Sequence, residues 1–133
     1  MILVDSSAFV EYYRPTGSSV VRAAIAEAIE ADLVAVNGVI QVEILAFAPA
    51  QTSFRKLLSD FKVFHWFDLE EADFDLAAEL GFSMRRRAIT VPPNDLIIAA
   101  SAIRFDAVVY HVDSHYDMIS RYSDLKAKNL ESL

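Results

Sequence analysis

The chain has 133 residues, of which 54% are hydrophobic, so we expect one globular domain over residues 1–133 rather than a disordered segment. Its formal net charge of −7 argues against nucleic-acid binding through a basic surface, although bound cations would invert the field locally. No apolar run approaches the roughly 18 to 20 residues that span a membrane, and the lack of cysteine excludes disulfides and thiolate metal sites. The first residues lack the basic segment of a signal peptide, so we expect a cytoplasmic protein without a membrane partner.

Short apolar runs alternate with longer segments of helical periodicity along the chain. The runs predict strands over residues 2–4, 33–36, 62–67, 108–112 and 125–129. The segments between them predict helices over residues 6–14, 18–30, 37–48, 52–61, 70–87, 93–105 and 116–122. This alternation indicates an α/β domain with a central, mostly parallel sheet flanked by helices.

Four carboxylates stand in settings where a charged group is costly. Asp5 and Asp113 directly follow predicted strands, Glu43 interrupts a nearly unbroken apolar stretch, and Asp95 opens another. A carboxylate that faces an apolar interior needs a partner or a bound cation. In parallel sheets the ligand crevice lies outside the carboxyl ends of the strands, where Asp5 and Asp113 are expected. The four together predict one acidic pocket for a hard divalent cation.

Each of these acids also has a purely structural interpretation. Asp5 and Asp95 could cap or begin helices, although the serine hydroxyls after Asp5 could cap in its place. Asp113 could be an ordinary turn residue, and Glu43 could lie on a solvated strip of its helix. An acidic cluster without Cys or His favours Mg²⁺ or Mn²⁺ and phosphoryl chemistry over zinc peptidase chemistry.

Four stretches of the sequence match a known family in order and spacing, and they cover essentially the whole chain. They are Ile-Leu-Val-Asp-Ser-Ser-Ala-Phe at 2–9, Val-Glu at 42–43, Pro-Asn-Asp-Leu-Ile-Ile-Ala-Ala-Ser-Ala at 93–102 and Val-Asp-Ser-His-Tyr at 112–116. In these stretches the chain resembles the PIN-domain ribonucleases, most closely the VapC-type toxins of prokaryotic toxin–antitoxin pairs.

The resemblance implies a metal-dependent endoribonuclease that hydrolyses RNA phosphodiester bonds with Mg²⁺ or Mn²⁺. Asp5, Glu43, Asp95 and Asp113 would be the catalytic, metal-binding acids, and Ser6 matches the family's small hydroxyl residue beside the first acid. The resemblance further implies a homodimer and a cognate antitoxin whose peptide lies in an apolar groove and blocks the site.

The last motif departs from the family pattern, which commonly has Thr two residues before the last Asp and often an acid two residues after it. This chain has His111 and His115 at those positions. His115 is therefore a candidate substrate contact or support for the acids, and Asp117 could replace the missing acid or be solvated. His111, Asp113 and His115 alternate, so a transition-metal site of these three is an open alternative.

Two other functions compete with the nuclease. The altered last motif allows a catalytically silent PIN-like interaction module, although Asp5, Glu43 and Asp95 are retained. A Mg²⁺-binding phosphoacceptor receiver domain would have a second acid next to Asp5 and a late lysine after a strand, and the chain shows neither. The run of three arginines at 85–87 could contact RNA phosphates, or it could be the basic end of a helix.

Overall fold

A computed structural model describes residues 1–131 and shows twelve elements in that part of the chain. The strands are β1 Ile2–Val4, β2 Val34–Val36, β3 His65–Trp66, β4 Val108–His111 and β5 Lys126–Asn129. The helices are α1 Ser6–Tyr13, α2 Ser19–Glu30, α3 Gly38–Leu45, α4 Gln51–Val63, α5 Glu71–Arg86, α6 Pro93–Arg104 and α7 Ser114–Arg121. The α/β fold predicted from the alternation is confirmed.

The five strands form one parallel sheet in the order β3-β2-β1-β4-β5. The chain steps from β1 outward through β2 to β3, and then returns to the other side of β1 to add β4 and β5. Ile2 accordingly pairs with Val34 on one side and with Val108 on the other. The strand order reverses at β1, and in such sheets the crevice between the two central carboxyl ends is the usual ligand site.

Several predicted boundaries differ from the structure, and two of the differences have a clear physical cause. The strand predicted over 62–67 is too long, because α4 continues to Val63 and only His65 and Trp66 pair with β2. Phe64 extends the apolar stripe of α4 and packs beside Phe61 at 5.5 Å between ring centroids, which favours the longer helix. The last helix begins at Ser114 instead of at residue 116, because the side chain of Asp113 caps it.

The end of α5 has a strained backbone that fixes the arginines there. Ala88 has φ of 62°, in the left-handed region, and the N–H of Ile89 donates a 3.0 Å hydrogen bond to the carbonyl of Met84. This is the Schellman arrangement, in which glycine usually takes the left-handed position. Alanine in that position costs about 1–2 kcal/mol. The turn stops the helix at once and leaves Arg85, Arg86 and Arg87 exposed at its end.

The apolar residues of α3 are divided between the core and the surface. Ile40, Ile44 and Leu45 are buried against the sheet, whereas Val42 is 64% exposed and Phe47, just beyond the helix, is 83% exposed. The apolar stretch that Glu43 interrupts is therefore divided between the core and a surface groove. Among residues 1–131, none of the helices has the length and apolarity needed to cross a bilayer.

Candidate active site

The four predicted carboxylates line one open cavity of about 600 Å³ at the carboxyl ends of β1 and β4. Ser6 and His115 line it as well, together with Ser7, Val10, Ile44, Phe47, Pro92, Pro93 and Asn94. The residues come from three helix N-termini and from the middle of α3. The cavity lies at the point where the strand order reverses, as expected for a sheet of this topology.

Asp5 joins the end of β1 to the start of α1 and is only 2% exposed. Its Oδ2 accepts hydrogen bonds from the backbone N–H of Ser7 at 3.0 Å and from the Ser7 hydroxyl at 2.6 Å. Asp5 is therefore the cap of α1, and the serines do not replace it. The structural and functional interpretations of Asp5 are compatible, because Asp5 also lines the cavity with the other three acids.

Ser7 connects the two central strands beneath the cavity. Its hydroxyl donates to Asp5 and accepts a 3.1 Å hydrogen bond from the backbone N–H of Val112, just beyond β4. This bridge fixes the distance between the segment that carries Asp5 and the segment that carries Asp113. From the sequence alone, Ser7 is only a possible helix cap, and nothing near it in sequence indicates this bridge.

Asp95 lies in the first turn of α6, two residues after Pro93 at the first helical position. Its Oδ2 lies 2.9 Å from Nδ1 of His115. Burial, and then the negative charge of Asp5, raise the pKa of Asp95 to about 6. Folding therefore places this carboxylate in a partly buried position near another negative charge, as expected for an acidic cation site.

Glu43 faces the same cavity from α3 and is held by two polar side chains. Ser6 donates its hydroxyl to Oε1 at 3.2 Å, and the amide of Asn94 donates to Oε2 at 3.5 Å. Burial raises the pKa of Glu43, and the nearby charge of Asp5 raises it as well. The hydrogen bonds from Asn94 and Ser6 lower it, but the net shift is upward. Ser6, predicted beside the first acid, thus contacts the second acid instead.

Asp113 and His115 complete the acidic side of the cavity. Oδ1 of Asp113 accepts a 2.9 Å hydrogen bond from the backbone N–H of His115 and lies 3.0 Å from its Nδ1. The imidazole nitrogen therefore lies between Asp95 and Asp113. One ligand atom from each of these three residues falls within 4.8 Å of the others, a spacing that suits a shared cation.

The alternating site of His111, Asp113 and His115 is not formed. His111 is fully buried, its Nδ1 accepts a 3.2 Å hydrogen bond from the backbone N–H of Asp113, and burial lowers its pKa. Its Nε2 lies 3.6 Å from Asp117, away from the cavity. Asp117 does not line the cavity either and accepts from Asn129 at 3.0 Å, so the structure does not support it as the replacement acid.

Tyr116 is the main residue that the sequence analysis missed. Its side chain is fully buried, and its hydroxyl donates to Oδ1 of Asp5 at 2.7 Å and lies 3.4 Å from Oδ1 of Asp95. Burial, and then the charges of Asp5 and Asp95, raise its pKa well above the ordinary value. The spacing of Tyr116 and Ile119, three residues apart on α7, indicates a buried helix face but not the contact with the acids.

The donor set fits a divalent metal ion. It consists of the carboxylates of Asp5, Glu43, Asp95 and Asp113 on the cavity wall, of which Asp95 and Asp113, together with His115, have ligand atoms within 4.8 Å of one another. Oxygen donors suit Mg²⁺ and Mn²⁺, and imidazole suits the transition metals better than it suits Mg²⁺. Burial and the charge of Asp5 raise the pKa of both Asp95 and Glu43, and a cation bound beside them would favour their ionised forms.

Comparisons with known proteins give the family of the chain. A sequence model of the PIN domain matches residues 2–122. The chain is 38% identical, over 134 aligned positions, to Ribonuclease VapC11 of Mycobacterium tuberculosis strain H37Rv and to VapC ribonuclease Mb1587 of Mycobacterium bovis. Each alignment covers 96% of this chain and 97% of the relative.

Two solved structures show the same fold at low sequence identity. FitAcB from Neisseria gonorrhoeae superposes with a TM-score of 0.81 at 19% identity, over 100% of both chains. A toxin–antitoxin complex from Klebsiella pneumoniae superposes with a TM-score of 0.69 at 14% identity, over 86% of this chain and 88% of that one. By its family match and its near full-length relatives, the chain belongs to the PIN-domain family and groups there with the VapC ribonucleases.

Proposed function

We propose that this protein is an endoribonuclease toxin that hydrolyses RNA phosphodiester bonds with a divalent metal, Mg²⁺ or Mn²⁺, and is inhibited by a cognate antitoxin. One observation carries the proposal: four carboxylates distant in sequence line a single cavity at the reversal point of the sheet. The 38% identity to named ribonucleases over nearly the whole chain supports the reaction class.

In this proposal the four acids have unequal roles. Asp5 is the central metal ligand, Glu43 and Asp95 flank it, and Asp113 holds a second metal or orients the attacking water. Divalent cations bound there supply charge neutralisation of the phosphodiester, a lowered pKa of the attacking water and stabilisation of the leaving oxygen.

The neighbouring side chains keep the acids in place. Tyr116 and Ser7 hold Asp5 from two sides, and Ser6 and Asn94 hold Glu43. Such hydrogen bonds to metal-binding carboxylates orient them and are worth 10- to 100-fold in metal affinity or activity. Nδ1 of His115 lies within hydrogen-bond distance of both Asp95 and Asp113, so the imidazole links these two acids.

An apolar groove of about 460 Å³ next to the acidic cavity suits the antitoxin peptide. It is lined by Phe9, Tyr13, Ala48, Pro49, Leu57 and others, and it shares Val10, Glu43, Ile44 and Phe47 with the cavity. Phe47 is 83% exposed, which is unusual for a large apolar side chain at a groove. A peptide in this groove lies against Glu43 and covers the approach to the acids. The likeness to VapC ribonucleases also supports a homodimer.

Metal removal and restoration test the proposed function. The purified protein is incubated with structured and single-stranded RNA in Mg²⁺ or Mn²⁺, in excess EDTA, and after the metal is restored. We expect cleavage that stops in EDTA and returns with the metal. Cleavage that persists in EDTA contradicts the proposed chemistry, and metal binding by calorimetry without any cleavage favours the silent interaction module.

A further inference from the structure

The exposed end of α5 presents arginines and aromatic rings around a second cavity. This cavity, of about 430 Å³, is lined by Phe82, Ser83, Arg86 and Arg87. Phe82 is 66% exposed, and Tyr122, at the end of α7, is 46% exposed. We call Phe82, Arg86, Arg87 and Tyr122 the arginine–aromatic patch.

The two arginines of the patch lie over aromatic rings. The guanidinium carbon of Arg86 is 5.7 Å from the ring centroid of Phe82, and that of Arg87 is 4.3 Å from the centroid of Tyr122. Stacking of this kind holds a guanidinium flat and leaves its edge N–H groups available to a phosphate. The exposed ring beside it offers a face on which a nucleobase can stack.

The charges of these arginines are not neutralised inside the described part of the protein. Within residues 1–131 neither Arg86 nor Arg87 forms an ion pair, whereas Arg104 at the opposite end of the α5–α6 pair binds Asp73 at 2.7 Å. In a chain with a net charge of −7, three consecutive arginines without acid partners among the described residues, Arg85, Arg86 and Arg87, lie at this end of α5. A polyanion is the partner that this charge complements.

The patch lies at the same end of the α5–α6 pair as the acidic cavity. The two helices are antiparallel: Asp73 meets Arg104 at one end, and Gly81 packs against Leu96, next to Asp95, at the other. A Cβ on Gly81 would lie 2.7 Å from Leu96, so the approach is close. Tyr122 adjoins α7, which begins at the cavity with Asp113 and has eight residues, about 12 Å in length.

From this placement we propose that the arginine–aromatic patch binds the single-stranded RNA that flanks the scissile phosphate, with Arg86 and Arg87 on backbone phosphates and Phe82 and Tyr122 stacking on bases. The inference rests on the proposed nuclease function and assigns a second RNA-contacting surface outside the acidic cavity. An acidic cleft repels the backbone that it must hold, and this patch supplies the attraction a few nucleotides away. It also explains why an acidic protein can bind RNA without a basic surface overall.

Binding to a cleavage-deficient protein tests the patch independently of catalysis. The Asp5→Asn variant, in EDTA, is titrated with a fluorescein-labelled twelve-nucleotide single-stranded RNA, and anisotropy is followed over a series of salt concentrations. Arg86→Ala/Arg87→Ala is compared with Arg22→Ala/Arg55→Ala, which removes the same charge from exposed positions on α2 and α4. We expect the patch variant alone to bind more weakly, with a salt slope shallower by about 1.4, since each single-strand phosphate contact contributes about 0.7.

The aromatic residues give a second readout. Removal of one stacking ring, by Phe82→Ala or Tyr122→Ala, is expected to weaken binding about 5- to 150-fold, and Tyr122→Phe to bind as the parent does. Arg86→Gln/Arg87→Gln, which removes the charges but keeps polar side chains, replaces the alanine variant if the latter does not fold by circular dichroism.

Equal affinities and salt slopes for the patch variant and the control variant overturn the patch proposal. Loss of self-association in sedimentation with RNA affinity unchanged assigns the patch to an interface between copies and overturns it as well. If the unmodified protein does not cleave RNA but still binds it through the patch, the proposed nuclease function is contradicted. The proposed RNA-binding surface is then supported independently of catalysis.

Discussion

The hydroxyl of Tyr116 donates a 2.7 Å hydrogen bond to Oδ1 of Asp5, across 111 positions of sequence. It joins the helix after β4 to the acid after β1, at the boundary where the strand order reverses. With Ser7 on the other oxygen, Asp5 is held from both sides and has little freedom to rotate.

Replacement of this hydroxyl is expected to weaken metal binding with the fold intact. Tyr116→Phe removes the donor to Asp5 and should lower the affinity for Mn²⁺ about 10- to 100-fold in calorimetry. Tyr13→Phe is the control, since it removes a 3.0 Å tyrosine–aspartate bond to Asp60, whose carboxylate does not line the acidic cavity. Equal metal affinities of the two variants would show that Tyr116 only fills space.

Crowding of the acids is expected to destabilise the metal-free protein at neutral pH. Burial and Asp5 raise the pKa of Asp95 to about 6, so the folded state binds its proton more tightly than the unfolded state. The contribution to stability is present at low pH and is lost as pH rises through about 6. Asp95→Asn should therefore raise the free energy of unfolding by about 1–3 kcal/mol at pH 7.5 in EDTA.

Urea unfolding at two pH values checks this expectation. The gain from Asp95→Asn should shrink as the pH falls from about 6 toward about 4, where the folded state is protonated and the unfolded state is about half protonated. Asp75→Asn, at an exposed position on α5, should show no such gain. A variant that is less stable than the parent at pH 7.5 would contradict the crowding.

The imidazole of His115 is expected to bias the choice of metal. His115→Asp restores the acid that the family often has there and replaces a nitrogen that lies 2.9 Å from Asp95 and 3.0 Å from Asp113. Because imidazole suits transition metals better than Mg²⁺, the ratio of Mn²⁺ to Mg²⁺ affinity should fall, by about tenfold. His65→Asp, at the exposed edge strand, is the control, and an unchanged ratio would exclude His115 from the metal site.

The exposed phenylalanine of the groove is expected to anchor the antitoxin. Phe47→Ser should weaken the complex with the product of the neighbouring open reading frame by tenfold or more, as loss of an aromatic anchor commonly does. Phe74→Ser, which removes a 48% exposed ring on α5, should leave the complex unchanged. If both variants bind equally well in calorimetry, the peptide lies elsewhere.

The sequence predicted the sheet and the gathering of the acids because both depend on local pattern. Apolar runs followed by Asp5 and Asp113 place those acids at strand ends, and the parallel alternation brings the strand ends to one edge. The α/β fold and the family were accordingly confirmed, whereas the roles of the acids as metal ligands stay a prediction.

The partners of the acids could not be predicted, because they depend on contacts far apart in sequence. Nothing local distinguishes Tyr116, whose hydroxyl meets Asp5, from a tyrosine that only packs in the core. The same holds for Ser6, which contacts Glu43 across 37 positions. The exposure of Phe47 was equally hidden, because an apolar residue beside a buried helix face has the same local pattern whether it lies in the core or in a groove.

One measurement tests the central claim most directly: RNA cleavage and Mn²⁺ binding by Asp5→Asn beside Asp75→Asn, under the same conditions. The structure makes Asp5 the acid shared by Ser7, Tyr116 and the other carboxylates, so Asp5→Asn should lose cleavage and most metal affinity while it keeps its circular dichroism spectrum. Asp75→Asn should behave as the parent protein does. Cleavage by a folded Asp5→Asn variant at the parent rate would contradict the proposed active site.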